Sequence, residues 1–190
     1  MNVLTDDEAR DFERKNAWAT GLEISESDDV AFASNDACRL LLNYPETPLR
    51  VSYASRLLSL LGCSGDESGF YGALLWLRLW NIGSPQNEKS GWKMVERLRM
   101  GFGELRPLGE ANAHWFRSDE VAELAAFIVP CFVYGWDAYV SPSGGDCFGF
   151  ISHDGYWSVV ARNREVSERL LIDFAEFKPQ AEACGQLSRN

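Results

Sequence analysis

CFVYGWDAYVSPSGGDCFGFISHDGYWSVVAR, residues 131–162, is the stretch whose reading decides the fold. It predicts three short antiparallel strands near 131–140, 147–153 and 156–161, joined by two turns. Asp154-Gly155 is a strong hairpin signal, because a two-residue type I′ turn needs positive φ at both central positions. With those two residues as the loop, His153 lies opposite Tyr156, Phe150 opposite Val159 and Phe148 opposite Ala161. Side chains alternate along a strand, so Phe148, Phe150, Trp157, Val159 and Ala161 share an apolar face. The other face carries Gly149, Ile151, His153, Tyr156, Ser158 and Val160. The preceding loop, Ser141 to Asp146, has turn chemistry throughout but does not set its own register, and a one-residue slip would exchange the faces. Placing Trp136, Ala138 and Val140 beside Phe148 and Phe150 buries the most apolar area.

That register gathers Asp137, Tyr139, His153, Tyr156 and Ser158 on the polar face, the candidate ligand-binding set. Asp137 then faces Ile151, about 7–8 Å diagonally from His153 between Cα atoms, close enough for the carboxylate to reach the imidazole. Asp137, His153 and Ser158 are the ingredients of a triad, but no positioned nucleophile or oxyanion hole is indicated. A Cys147–His153 dyad is excluded on a regular strand, since six residues span about 20 Å.

Composition bounds the rest. The chain of 190 residues, 46% apolar and 24% charged, reads as one globular domain. The net charge is −10, and it is uneven. Asp6, Asp7, Glu8, Asp11, Glu13, Glu23, Glu26, Asp28, Asp29 and Asp36 outnumber Arg10, Arg14 and Lys15 in the first 36 residues. An acid-loaded start argues against direct nucleic-acid binding, which wants a basic footprint, and allows a basic protein partner. The five cysteines are scattered without a C-x-x-C pair, which is neither a zinc pattern nor a disulfide framework. No metal or cofactor is expected. The first residues lack the basic and apolar regions of a signal peptide, and no apolar run is long enough to span a membrane. A reducing, cytoplasmic protein is the expectation.

In chain order, Thr5-Asp-Asp-Glu8 is a capping box that opens a helix from Asp6 to Trp18, thinly apolar at Phe12 and Trp18 and so expected on the surface. Gly21 to Asp29 reads as a polar connection, and Ser34 as the cap of a short helix from Asn35 to Asn43. Thr47-Pro48 starts a helix through Tyr53 and Leu57 toward Gly62. Ala73–Ile82 suits a covered strand better than a buried helix, with Arg78 needing a carboxylate or an exit to solvent. Ser84-Pro85 opens a helix to Gly101 bearing Lys89, Lys93, Arg97 and Arg99 as a solvated basic stripe. Arg106 to Arg117 reads as irregular, with His114 packed or on the surface. A helix begins at Ser118 and is ended by Pro130, and Asn163 caps the last helix. Near-matches to known motifs fail: Gly62-Cys-Ser-Gly-Asp66 lacks the last Gly of a nucleophile elbow, and Gly101-Phe-Gly103 leads into no dinucleotide fingerprint.

The sum is an α+β domain over residues 1–180. It has one mainly antiparallel sheet of about four strands packed against helices, and residues 181–190 form a flexible tail. The favoured function is non-enzymatic binding of a macromolecular partner, a basic protein, through Asp6, Asp7, Asp11 and Glu13. Small acidic α+β inhibitors of basic toxins or nucleases share this profile by composition alone. The alternative is a small-molecule-binding protein or hydrolase-type enzyme using Asp137, His153 and Tyr156. Sequence alone sets neither the partner nor the oligomeric state.

Overall fold

A computed structural model of the chain describes residues 1–20, 22–24, 30–32, 38–44, 46–59, 72–78, 92–143 and 147–181. The elements run β1 (Asn2–Leu4), α1 (Asp6–Thr20), β2 (Leu22–Ile24), β3 (Val30–Phe32), β4 (Cys38–Asn43), α2 (Arg50–Leu58) and β5 (Gly72–Leu77). There follow α3 (Trp92–Gly101), β6 (Ala113–Arg117), α4 (Val121–Tyr134), β7 (Ala138–Pro142), β8 (Cys147–Ile151), β9 (Tyr156–Ala161), α5 (Arg164–Asp173) and β10 (Gln180–Ala181). The class is α+β as expected, but about four strands is an undercount. Among the described residues one sheet holds eight, in the order β1-β6-β5-β7-β8-β9-β4-β10, and every pairing in it is antiparallel. A separate two-stranded ribbon joins β2 to β3 where a polar connection was expected.

The meander is present as β7, β8 and β9, with two corrections. Residues 131–134 are helical, because α4 runs straight through Pro130 and stops at Gly135, which caps it in the left-handed region at φ 67. A proline inside a helix costs about 3 kcal/mol. Leu124, Phe127, Ile128, Cys131 and Phe132 continue one buried stripe across it, and each such side chain contributes roughly 1.5–3 kcal/mol on burial. Burial therefore outweighs the proline.

The second correction is the hairpin register. Ile151 pairs with Trp157 and Phe150 with Ser158, one residue away from the expected pairing. The loop has three residues, His153-Asp154-Gly155, closed by Ser152 N–H on the Tyr156 carbonyl (2.9 Å), with Gly155 at φ +86. Three-residue loops place a left-handed residue last, and glycine serves there as well as in a two-residue turn. The slip splits the expected apolar set. Trp157, Val159 and Ala161 join Ile151, Ala138 and Val140 in the main core, while Phe148 and Phe150 turn to the opposite face with Tyr139 and Val160.

Both faces are covered. Side chains of α2, α3, α4 and α5 pack the main core: Tyr53, Leu57, Val95, Phe127, Phe132, Leu170 and Phe174. Helix α1 lies over the other face, and its capping box forms as expected, with Thr5 N–H on Glu8 and Glu8 N–H on the Thr5 hydroxyl. It is not weakly held. Ala9 is buried in the second cluster, Phe12 packs on Trp115 at 4.7 Å between centroids, and Asp6 accepts from Trp76 Nε1 at 3.0 Å and Asn112 Nδ2 at 3.2 Å.

The expected helix over Asn35–Asn43 is instead strand β4 between β9 and β10 over its described residues, with Cys38, Leu40 and Leu42 inward. Residues 113–117 are strand β6 rather than irregular, and β5 bears out the strand reading of Ala73–Ile82 as far as Leu77. Asn163 caps α5, its Oδ1 accepting from Val166 N–H at 3.0 Å. Cys38 is disulfide-bonded, which departs from the disulfide-free expectation. No helix among the described residues is long and apolar enough to cross a membrane. The expected Ser34 cap, the Gly62 helix end, the Ser84-Pro85 helix start and the tail beyond Ala181 lie outside the described residues.

Candidate functional site

Gly135 ends α4, and the chain turns through Trp136 into β7, which puts Asp137 at the open end of the meander beside the β8–β9 loop. The Asp137 side chain is almost wholly buried. Its Oδ1 accepts from the backbone N–H of His153 at 2.7 Å and faces the His153 Nδ1 at 3.0 Å, while its own carbonyl accepts from Arg78 N–H. His153 Nε2 lies 3.2 Å from the exposed Asp154 carboxylate. The Tyr44 hydroxyl donates to the Ser152 carbonyl beneath the loop, and burial pushes this phenol well above its usual pKa.

Of the five residues expected on one polar face, the structure brings Asp137 and His153 together. Tyr139 and Ser158 do not join them. Their face lies under α1, and the one-residue slip of β8 brings Phe148 and Phe150 onto it, so that Tyr139 is buried against Phe150, Phe148 and Trp76 at 4.9–5.7 Å between centroids and Ser158 is buried opposite Phe150. Tyr156 starts β9, half-buried, paired with Asn43. Asp154 and Tyr44 complete the surroundings of His153 and were not anticipated. Asp154 was read as a turn residue only, and Tyr44 arrives from a distant part of the chain.

This arrangement fixes a loop; it does not assemble a nucleophile. The Ser152 hydroxyl accepts from Asp154 N–H, and the buried Cys131 thiol is pushed far above its usual pKa by desolvation. Among the described residues no group of three His, Cys, Asp or Glu side chains is placed to hold a metal.

The expected partner-binding acids divide. Asp7 and Asp11 are exposed, as is Glu8. Asp6 is committed to Trp76, Asn112 and Arg10. Burial alone would raise its pKa, but hydrogen bonds from those three outweigh it and hold the carboxyl below the usual range. Glu13 points inward and is only 4% exposed. Its Oε2 accepts from the Ser141 hydroxyl at 3.3 Å, and burial pushes its pKa up to about 7 against that hydrogen bond. Glu13 is thus removed from any docking face.

Arg99 departs from the expected solvated stripe. It is 1% exposed, and its Nη2 donates to the Ala111 carbonyl at 2.8 Å. His114 is fully buried on β6, 5.1 Å from the Phe127 ring, and burial, then the Arg99 charge, pull its pKa down to about 3. The alternation Ala-His-Trp-Phe over 113–116 carried a strand signal that could have placed it. No family model matches the chain, and no curated protein or solved structure is significantly similar to it.

Proposed function

We propose that this protein is non-enzymatic and works by binding a macromolecular partner, a basic protein, through the outer face of α1. One observation carries the reading. The inward polar groups of α1 are locked onto the sheet, so its outward acids Asp7, Glu8 and Asp11 stand on a fixed platform rather than a loose arm. Among the described residues, His114, Cys131 and Cys147 are buried, and His153 is tied between Asp137 and Asp154. Glu23, Glu26, Asp28, Asp29 and Asp36 add to the same acidic segment in sequence.

The test begins with co-purification from the native host and mass spectrometry. The association rate of the retained protein is then measured against salt for wild type and for Asp7→Lys/Asp11→Lys. Exposed charges are screened within about 8–10 Å at physiological ionic strength, so steering predicts a rate that falls with salt and drops about tenfold or more on reversal. His153→Ala should leave it unchanged. A rate indifferent to both salt and reversal refutes the proposal.

The second reading, a small-ligand or hydrolase-type site at Asp137, His153 and Tyr156, is favoured by the Asp137–His153 contact alone. It predicts that a panel of small carboxylic esters and amides shifts the His153 imidazole resonances in NMR titration. Resonances that ignore the whole panel would remove it.

A further inference from the structure

Helix α1 is fastened to the sheet by two carboxyl groups of opposite character. At its first turn Asp6 accepts from Trp76 Nε1 at 3.0 Å, from Asn112 Nδ2 at 3.2 Å and from Arg10 Nε at 3.1 Å. Those donors keep it ionised, with its pKa below the usual range. Seven residues and about 10 Å further along the same helix face comes Glu13. It is 4% exposed and has one partner, the Ser141 hydroxyl of β7 at 3.3 Å, while its Oε1 has none. Of the described side chains, the charged or titratable groups on this side of the sheet are Arg39 on β4, Arg78 after β5, Arg117 on β6, Tyr139 on β7, and Tyr156 and Arg162 on and after β9. None of them, nor Arg10 on α1 itself, is among the influences on Glu13, which are its burial and the Ser141 hydroxyl. A carboxylate taken out of water with no cation beside it and one oxygen unpaired is strongly disfavoured, so the docked helix favours the protonated carboxyl.

We propose that α1 is a pH-operated lid: ionisation of Glu13 lifts its later turns off the sheet, pivoting on the first turn, and uncovers the aromatic face of Trp76, Trp115, Tyr139, Phe148 and Phe150. The proton passes to solvent, where the carboxylate regains its hydration. The pivot holds through the change, because Asp6 and the capping-box Glu8 are both kept below the usual carboxylate range and stay ionised while Glu13 titrates. What resists lifting is apolar: Ala9 is buried, and Phe12 packs on Trp115 at 4.7 Å between centroids. Those contacts do not respond to pH, so Glu13 sets the pH dependence. Docked, it keeps its proton up to about pH 7; lifted, it ionises near 4.5 as an exposed glutamate does. The docked helix is therefore most favoured below 4.5, and the lifted fraction grows about tenfold for each pH interval of one up to about 7, then levels off. The lid operates in this way whatever the outer face of α1 binds.

The experiment is native-state hydrogen exchange of the full chain from pH 5 to 8, with rates corrected for the intrinsic pH dependence of amide exchange. Local opening shows as loss of protection in one element while its neighbours keep theirs. Protection of the α1 amides is therefore read against that of β7 and β9 in the same sample, which cancels any change in global stability. In wild type the ratio should fall about tenfold for each pH interval of one up to about 7. In Glu13→Gln, which removes the titration and keeps the shape, it should not change with pH. A parallel loss in α1 and the sheet means that the chain opens only as a whole and overturns the proposal, as does an equal fall of the ratio in the two proteins. Should Glu13→Gln not fold, the wild-type ratio decides alone: a fall confined to α1 supports the lid, and a ratio flat across the range refutes it.

Discussion

Glu13 places a carboxyl under α1 with a single hydrogen bond, and its protonation should be readable in the stability of the whole chain. The unfolded carboxyl ionises near 4.5 and the folded one near 7. Between those values the folded state holds a proton that the unfolded state releases, so stability falls as pH rises through the window and is flat on either side. At 1.36 kcal/mol for each pH interval of one, the full effect is roughly 3 kcal/mol, an upper bound because α1 can relax. His114 runs the other way: its folded value near 3 against 6.5 unfolded makes stability rise with pH between those limits. The two slopes oppose each other between pH 4.5 and 6.5, so the wild-type curve alone hides both. The comparison that isolates Glu13 is Glu13→Gln, which keeps the acceptor for Ser141 and removes the titration. Urea unfolding of both proteins from pH 4 to 8 should give a difference that grows in favour of the glutamine through the window and then levels off. A difference independent of pH would refute the reasoning, whatever its size, because a fixed offset reports packing and not ionisation.

Trp157 is fully buried, with Phe174 at 5.4 Å and Tyr53 at 6.3 Å between centroids. Trp157→Ala should cost about 3–5 kcal/mol by denaturant unfolding, and an unchanged midpoint would show that the packing described around it does not form. Asp137→Ala removes the acceptor of both His153 N–H and Nδ1, whereas His153→Ala spares the backbone bond. Asp137→Ala should therefore lose about 1–3 kcal/mol and the histidine variant clearly less. Equal losses would mean that the backbone contact contributes nothing.

Strand β4 shows where sequence reading reaches its limit. Cys38 to Asn43 contains three consecutive leucines, which suit a short helix as well as a strand, and nothing nearby arbitrates. The strand exists because β9 and β10 flank it and take its backbone hydrogen bonds. Residues 113–117 were lost for the same reason, since their partners β1 and β5 lie far away in the chain. Pro130 misled in the other direction: its local penalty is real, but the stripe from Leu124 to Phe132 continues beneath it. At the candidate site, the nearness of Asp137 to His153 was legible because the two residues end neighbouring strands, although the register that suggested it was one residue off: Ala138, not Asp137, pairs with Ile151. The places of Tyr139, Ser158 and Glu13 were not, because burial under α1 depends on how layers stack.

What the sequence by itself determined were the features whose physics closes within a few residues: the Thr5–Glu8 capping box, the Asn163 cap, the presence of a turn at Asp154-Gly155, and the α+β class. What only the tertiary structure decided were the eight-strand order, the third residue in the hairpin loop, the burial of Glu13, Arg99 and His114, and the division of the expected site. A cap is satisfied by its own helix, whereas a strand register, with period two, changes every facing when one distant contact such as Asp137 on His153 N–H draws a single residue into the loop.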